Sequence, residues 1–400
     1  MKTPKIVLLC ILLAVSPCLP LFSADFGLVL DQSVERITDE NNSNIIYSAL
    51  LVPRISAPLG DSGEFFFSAG LNFQTYPFCA FVPELLRTDF SWRFGSLGFR
   101  VGRMVYSDPL GYVATGLFDG ARVSLDTRAG NFSLGGWYTG LLYKNRAEIF
   151  MTDNEREAHL VRPDFSDFDS FRRTYFAPSR FVFALGWDHP SLGHIVRSRF
   201  AFLGQFDLGD EDLNSQYFIG RILVPFRFFS FDLGACFGLA QHSGEQGRFF
   251  SADAEIALRL SNQRLAFMGR YASGVNGNIG TRAFLPITTV PQGTVFQTDI
   301  PGISMFSLDY LLRLHRTMSL GLTSSYFIRN DLTAHPRFAY DYQSDGHLLG
   351  NEFVMRVFWN PASDLQFNLA GGVFKPGLGN VIPEAGNIWR VVINAVLSLR

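Results

Sequence analysis

The stretch Phe250–Leu260 constrains the fold more than any other part of the chain. Its even positions, Phe250, Ala252, Ala254, Ile256, Leu258 and Leu260, are all apolar. Its odd positions include Ser251, Asp253, Glu255 and Arg259. A period of two puts these sets on opposite faces of a β-strand. One face carries too much charge for a protein core. The other is too continuously apolar for water. The inversion suggests a barrel that is apolar outside and wet inside.

The same pattern recurs. Phe65, Phe67, Ala69, Leu71 and Phe73 alternate with Ser68, Gly70, Asn72 and Gln74. Phe306, Leu308, Tyr310, Leu312 and Leu314 alternate with Ser307, Asp309, Arg313 and His315. About eighteen strand-like segments are expected: 26–37, 45–59, 65–76, 86–94, 98–107, 119–128, 132–149, 180–189, 195–208, 215–226, 229–241, 248–260, 264–275, 303–315, 317–329, 347–359, 364–375 and 387–399. No run after the N-terminus reaches the ~18 apolar residues of a membrane helix. A membrane form of this chain therefore crosses with strands.

The connectors alternate as well. Asp61–Glu64, Gly95–Leu97, Ala129–Asn131, Ser191–Gly193, Ser261–Gln263 and Pro361–Ser363 carry tight-turn chemistry. Between them lie longer links at 108–118, 150–179, 276–302, 330–346 and 376–386. An all-β, transmembrane antiparallel barrel of about eighteen strands places short periplasmic turns on one rim and long extracellular loops on the other. Both termini then fall on the short-turn rim. Tyr106, Tyr143, Trp187, Tyr217, Tyr326, Trp359 and Trp389 sit near strand ends and read as girdle aromatics.

The N-terminus reads as a targeting segment. Lys2 and Lys5 precede the apolar run Ile6–Phe22, and Ser23-Ala24 ends it. The expected division is a signal peptide at 1–24 and a barrel at 25–400. Cys18 sits after Pro17, which argues against a lipid attachment box. Cys79 and Cys236 fall on distant segments and are read as unpaired thiols.

The terminal strand sets Trp389, Val391, Ile393, Ala395, Leu397 and Leu399 against Arg390, Asn394 and Ser398. It resembles the closing strand of porin-like outer-membrane β-barrels of diderm bacteria, although the chain ends on Leu399-Arg400 rather than on an aromatic residue. A second resemblance covers Gly102-Arg103 and Leu117-Phe118-Asp119-Gly120-Ala121-Arg122, which is similar to alginate-export-type barrels. These resemblances imply an eighteen-strand conduit with an arginine-lined pore, outer-membrane lipid around it, and insertion by the barrel machinery of that membrane.

The expected pore-lining residues are Arg93, Arg122, Arg197, Arg199, Arg221, Asp253, Glu255, Arg259, Arg270, Asp309, Arg313, Glu352, Arg356 and Arg390, with Asp89, Asp126, Asp188, Asp207 and Asp232 on the same face. Lysine is confined to four positions, and arginine supplies the remaining basic charge. Arginine keeps its charge when partly desolvated and forks onto carboxylates. The two signs nearly balance, so the lumen would favour anions only weakly. Loop 276–302 is poor in charge and is expected either to fold inward as a constriction or to cover the mouth.

A net charge of −2 gives no basic field for nucleic acid. No nucleophile elbow, zincin motif, phosphate loop or dinucleotide fingerprint occurs. The reading is a non-enzymatic outer-membrane porin without cofactor or metal, passing small polar or weakly anionic solutes. A transporter of hydrophobic solutes and a surface adhesin or receptor barrel stay open as alternatives. The former requires an apolar lumen or a lateral gap.

Overall fold

The computed structural model describes residues 24–39, 42–152, 155–156, 160–192, 195–209, 211–242, 244–276, 281–331, 347–376 and 386–399. The signal-peptide reading falls on residues outside this set, apart from Ala24. So do most of the links 330–346 and 376–386.

All eighteen expected segments form strands. They are β1 (Asp25–Thr38), β2 (Ser43–Leu59), β3 (Gly63–Gln74), β4 (Ala80–Phe94), β5 (Leu97–Ser107), β6 (Thr115–Thr127), β7 (Gly130–Tyr138), β8 (Arg180–Leu192) and β9 (Val196–Asp207). The second half holds β10 (Asn214–Pro225), β11 (Phe229–His242), β12 (Glu245–Arg259), β13 (Gln263–Ala272), β14 (Ile303–His315), β15 (Met318–Arg329), β16 (Leu348–Ala362), β17 (Leu365–Pro376) and β18 (Ile388–Leu399). Each pairs antiparallel with its sequence neighbours, and β1 also pairs with β18 from Leu28↔Leu399 to Thr38↔Trp389. The sheet therefore closes on itself. Closure leaves no sheet edge at the joint, as a barrel in hydrocarbon requires.

The alternation sets the faces. On β12, Phe250, Ile256 and Leu258 are exposed on the outer wall, while Ser251 and Ala257 are buried on the inner one. Exposed Phe200, Phe218, Leu233, Phe237, Phe267, Phe306, Phe353 and Ile393 continue the apolar exterior around the ring. Such a belt is a surface for hydrocarbon, and the barrel is transmembrane. Because β1 starts and β18 ends at the same rim, both termini lie with the short turns. There the hairpin at 95–96 needs Gly95 in the left-handed region, at φ 55°. The long links 139–179 and 273–302 leave from the opposite rim.

Three expectations are corrected. The segment 132–149 is not one strand: β7 stops at Tyr138, and a helical turn α1 (Lys144–Ala147) follows. The chain turns inward after Thr139, whose amide makes a last bond to Arg180 O of β8, and Leu142 N then bonds locally to Thr139 O. Of the proposed girdle, Tyr106, Tyr143 and Tyr217 are buried inside the molecule, whereas Trp359 and Trp389 are exposed outside. The cause is that loops fill much of the lumen. Leu110, Tyr112, Val113, Phe284, Ile287 and Ile300 pack against inward Trp137, Leu203, Tyr217, Cys236 and Phe249. The inner wall beneath these loops is accordingly apolar, where a uniformly wet lumen was expected. Cys79 and Cys236 are both free thiols.

Ala235 lies outward near the middle of β11. Ala235→Arg should lower barrel stability by about 2–4 kcal/mol, the cost of a basic side chain at the bilayer midplane. Urea unfolding from phospholipid vesicles, with Ala235→Leu as the neutral control, reads this directly. A water-facing wall would show no more than about 0.5 kcal/mol for either change.

Candidate functional site

Three loops build the interior. Residues 108–114 are folded by one side chain. The buried Asp108 carboxylate accepts the amides of Leu110 (2.7 Å), Gly111 (3.1 Å), Val113 (2.9 Å) and Ala114 (2.8 Å). Burial pushes this carboxyl above the ordinary range, and the amides pull it back. Val113 then presents its carbonyl to Ile287 N (2.7 Å) and Thr288 N (3.1 Å). Loop 139–179 joins the same assembly through Phe150 N to Ile287 O and Thr289 N to Glu148 O.

Loop 273–302 is held by a second carboxylate, on a strand two places along the wall from β14. Glu352 on β16 accepts the amides of Thr294 (2.8 Å), Val295 (2.7 Å) and Phe296 (2.8 Å). Arg356 donates to Thr294 Oγ1 and Arg390 to Thr294 O. Phe296 stacks on Phe374 of β17 at 4.2 Å. Tyr217 on β10 donates to Leu285 O at 2.9 Å. Of the two placements open for this loop, the inward one is observed.

The residues expected to line a pore divide into three groups. Glu352, Arg356 and Arg390 converge on Thr294–Phe296, with Arg390 also paired to Glu35 at 2.7 Å. Arg221, Asp253 and Arg270 meet loop 108–114. Arg221 holds Asp232 (2.7 Å) and Pro109 O (2.9 Å), Asp253 accepts from Tyr112 (2.9 Å), and the Arg270 guanidinium lies 4.2 Å over the Tyr112 ring. The others stay on the strands. Arg93 pairs with Asp126, Arg199 with Asp188, and Glu255 with Arg264, while Asp309 accepts from Thr323 and Ser307. Arg122 sits opposite Arg100, Arg197 opposite Leu223, and Arg259 opposite Arg264; Arg313 borders a bulge by the short-turn rim.

The loops leave a polar cavity of about 290 Å³ against β1–β4. Asp31, Ser33, Ser48, Asn72, Gln74, Glu84 and Asn394 line its wall side, and Tyr143, Asn145 and Arg146 its loop side. Arg146 pairs with buried Glu84 at 3.0 Å. Asn394 donates to Asp31 across the β1–β18 closure. Asn72, Gln74 and Asn394 lie on strand faces that read as polar, but none of the cavity residues was among the expected pore-lining set. The Asp31-Ser33-Glu35 alternation on β1 carried a usable signal. Glu84 and Arg146 carried none, because their pairing spans the inward fold of loop 139–179. The cavity offers carboxylates, amides, hydroxyls and one guanidinium, a lining that exchanges hydrogen bonds with a polar solute. Among the described residues, no group of three or more His, Cys, Asp or Glu gathers as a metal site.

The chain matches no protein-family model, and no curated protein is recognisably similar in sequence. Solved structures do share the fold. Pseudomonas aeruginosa OccK2 (OpdF) superposes with a TM-score of 0.65 at 10% identity, covering 94% of this chain and 98% of that one. OccK1 (OpdK) of the same organism gives 0.64 at 8% identity, covering 94% and 99%. OccK2 has also been solved in complex with glucuronate, at a TM-score of 0.63, 10% identity and coverage of 94% and 99%. The architecture is porin-like.

Two outcomes test the loop assembly. Glu352→Ala removes the acceptor of buried amides, each costing about 1–3 kcal/mol when unmet. Loop 273–302 should loosen, raising protease nicking within it while the barrel remains folded. In α1, burial pushes Lys144 down to about 8 from an ordinary 10.5. Its charged form is therefore costly in the fold, and stability rises with pH between about 8 and 10.5 as the native side chain stays neutral while the unfolded one still binds its proton. Nicking of loop 139–179 should fall across that window, and Lys144→Met should flatten the dependence.

Proposed function

We propose that this chain is an outer-membrane porin that passes small polar or weakly anionic solutes by passive diffusion. The observation that carries the reading is the polar cavity of about 290 Å³ between β1–β4 and the inward loops, inside a wall whose exterior is apolar. A wide barrel without inward loops would leave an open aqueous channel. Here the loops narrow the lumen, and size exclusion follows. In this reading the short turns face the periplasm, the long loops face outward, residues 1–24 direct export, and outer-membrane lipid surrounds the belt after insertion by the barrel machinery.

The solute meets mixed charge. Asp31 and Glu84 stand against Arg146 at the cavity. Arg93, Arg122, Arg197, Arg199, Arg259 and Arg313, with Asp253, Glu255, Arg270 and Asp309, line the approach from the short-turn rim. The cavity holds two carboxylates against one guanidinium and the approach holds more arginines than carboxylates, so the two nearly offset and the net field is small and slightly basic. The glucuronate in the OccK2 structure is a small polar anion, and that solute class suits such a lining. The path requires no covalent step.

Planar-bilayer recording of the purified barrel tests the proposal. Stable unitary openings with weak anion preference are expected. Asp31→Asn should shift the reversal potential further toward anions, and Arg259→Ala combined with Arg313→Ala should shift it toward cations. Replacing 276–302 with a short turn should raise unitary conductance severalfold. A folded, inserted barrel that shows no openings would overturn the reading.

A further inference from the structure

The wall is not continuous. β4 and β5 pair only from Thr88↔Arg103 to Phe94↔Leu97. Beyond Thr88, β4 runs on to Ala80 beside β3, and β5 runs on from Arg103 to Ser107 beside β6. Gly102 marks the point of divergence. Its φ is 120°, and a Cβ there would meet Thr88 O at 2.0 Å. β4 carries Pro83 on the unpaired side, where a residue without an N–H leaves no donor stranded. The carbonyls on that side take side-chain donors instead. Tyr175 Oη donates to Pro83 O at 2.6 Å, and Arg103 Nη1 to Leu85 O at 2.5 Å.

Arg103 shares the outward parity of exposed Val101 and Val105. It does not enter the lumen. It forks onto Asp119 at 2.7 Å twice and reaches Leu141 O at 2.8 Å. It thus ties β5 to β4, β6 and loop 139–179, a role its sequence motif did not disclose.

Loop 139–179 stands in the opening, with the helix α2 (Phe168–Tyr175) in the gap. On the inner side, Tyr143 and Tyr175 lie 4.9 Å apart and pack with Val82, and Tyr143 also borders the polar cavity. On the outer side lies a groove of about 810 Å³ lined by Pro83, Leu85, Leu141, Phe165, Phe168 and Phe171. Phe168 is 75% exposed and Phe165 53%. Outward Leu71, Phe81 and Val105 flank the seam, so the groove is continuous with the lipid-facing belt. Of the charged groups in it, Arg103 is held by Asp119, Leu85 O and Leu141 O, and Asp167 caps α2 by accepting the amides of Asp169 and Ser170.

We propose that this groove binds a single unbranched hydrocarbon chain, the tail of a single-chain amphiphile carried in the surrounding leaflet, and that the Tyr143–Tyr175 partition separates this lateral site from the lumen. Continuity with the belt brings such a chain to the site, and a mainly aromatic and aliphatic lining, whose only charges are the paired Arg103 and the helix-capping Asp167, selects hydrocarbon over polar solute. The proposal rests on membrane insertion but not on polar-solute passage, so silence in planar-bilayer recording leaves it standing.

The test uses the full barrel in phospholipid vesicles with 11-bromoundecanoate as the probe. Phe168→Trp places a reporter at an exposed position of the groove. Phe237→Trp places one on the belt of β11. Saturable quenching that is severalfold stronger at the first reporter is expected, and Leu141→Asp should abolish the saturable part. Photo-crosslinking of the unsubstituted barrel with a diazirine-bearing fatty acid should concentrate label at residues 83–85 and 165–171. Equal, unsaturable quenching at both reporters, or label spread evenly around the belt, would overturn the proposal.

Discussion

Backbone hydrogen bonding in hydrocarbon is the constraint on which the rest of this structure depends. A bilayer offers no water to an unpaired amide or carbonyl. The β1–β18 ladder meets that demand by closing the ring, with Asn394 and Asp31 joining its inner face. Where the ladder lapses, between β4 and β5, the demand persists. Pro83 removes one donor, and Tyr175 and Arg103 donate to the carbonyls of Pro83 and Leu85 that strand pairing would otherwise have satisfied. The seam is thus a substitution of side-chain for main-chain hydrogen bonds, not a break in the accounting.

The interior obeys the same rule by a different device. A loop turned into the lumen brings its own backbone groups, and these need partners away from bulk water. Two carboxylates provide them. Asp108 gathers the amides of its own loop, and Glu352 gathers those of loop 273–302. A carboxyl group offers two oxygens, enough acceptor capacity to hold several N–H donors at once. The two anchored loops then bond to each other through Val113 and Ile287. The lumen is narrowed by a connected body rather than by separate flaps.

Much of the architecture was legible in the chain. The period-two faces located every strand, and the alternation of short and long links placed the rims correctly. The segment 132–149 was read too long because Leu141, Leu142 and Tyr143 continue an apolar pattern that serves loop packing, not the wall. Tyr106 and Tyr217 were assigned to the girdle for a related reason. An aromatic residue near a strand end looks the same in sequence whether it faces headgroups or an inward loop.

The candidate site was less legible. Arg221, Asp253, Glu352 and Arg390 stood out as charges on a strand, but their partners lie on remote loops, as Tyr112 does for Asp253. By itself the sequence determined the barrel, a strand number of about eighteen and the lipid-facing side of most strands, though not of segments 45–59 and 98–107, because a two-residue period is a local property of the backbone. Only the tertiary structure decided that long loops fold into the lumen, that a polar cavity lies against β1–β4, and that β4 and β5 part around Gly102. Those outcomes depend on contacts between segments far apart in the chain, which no local pattern records.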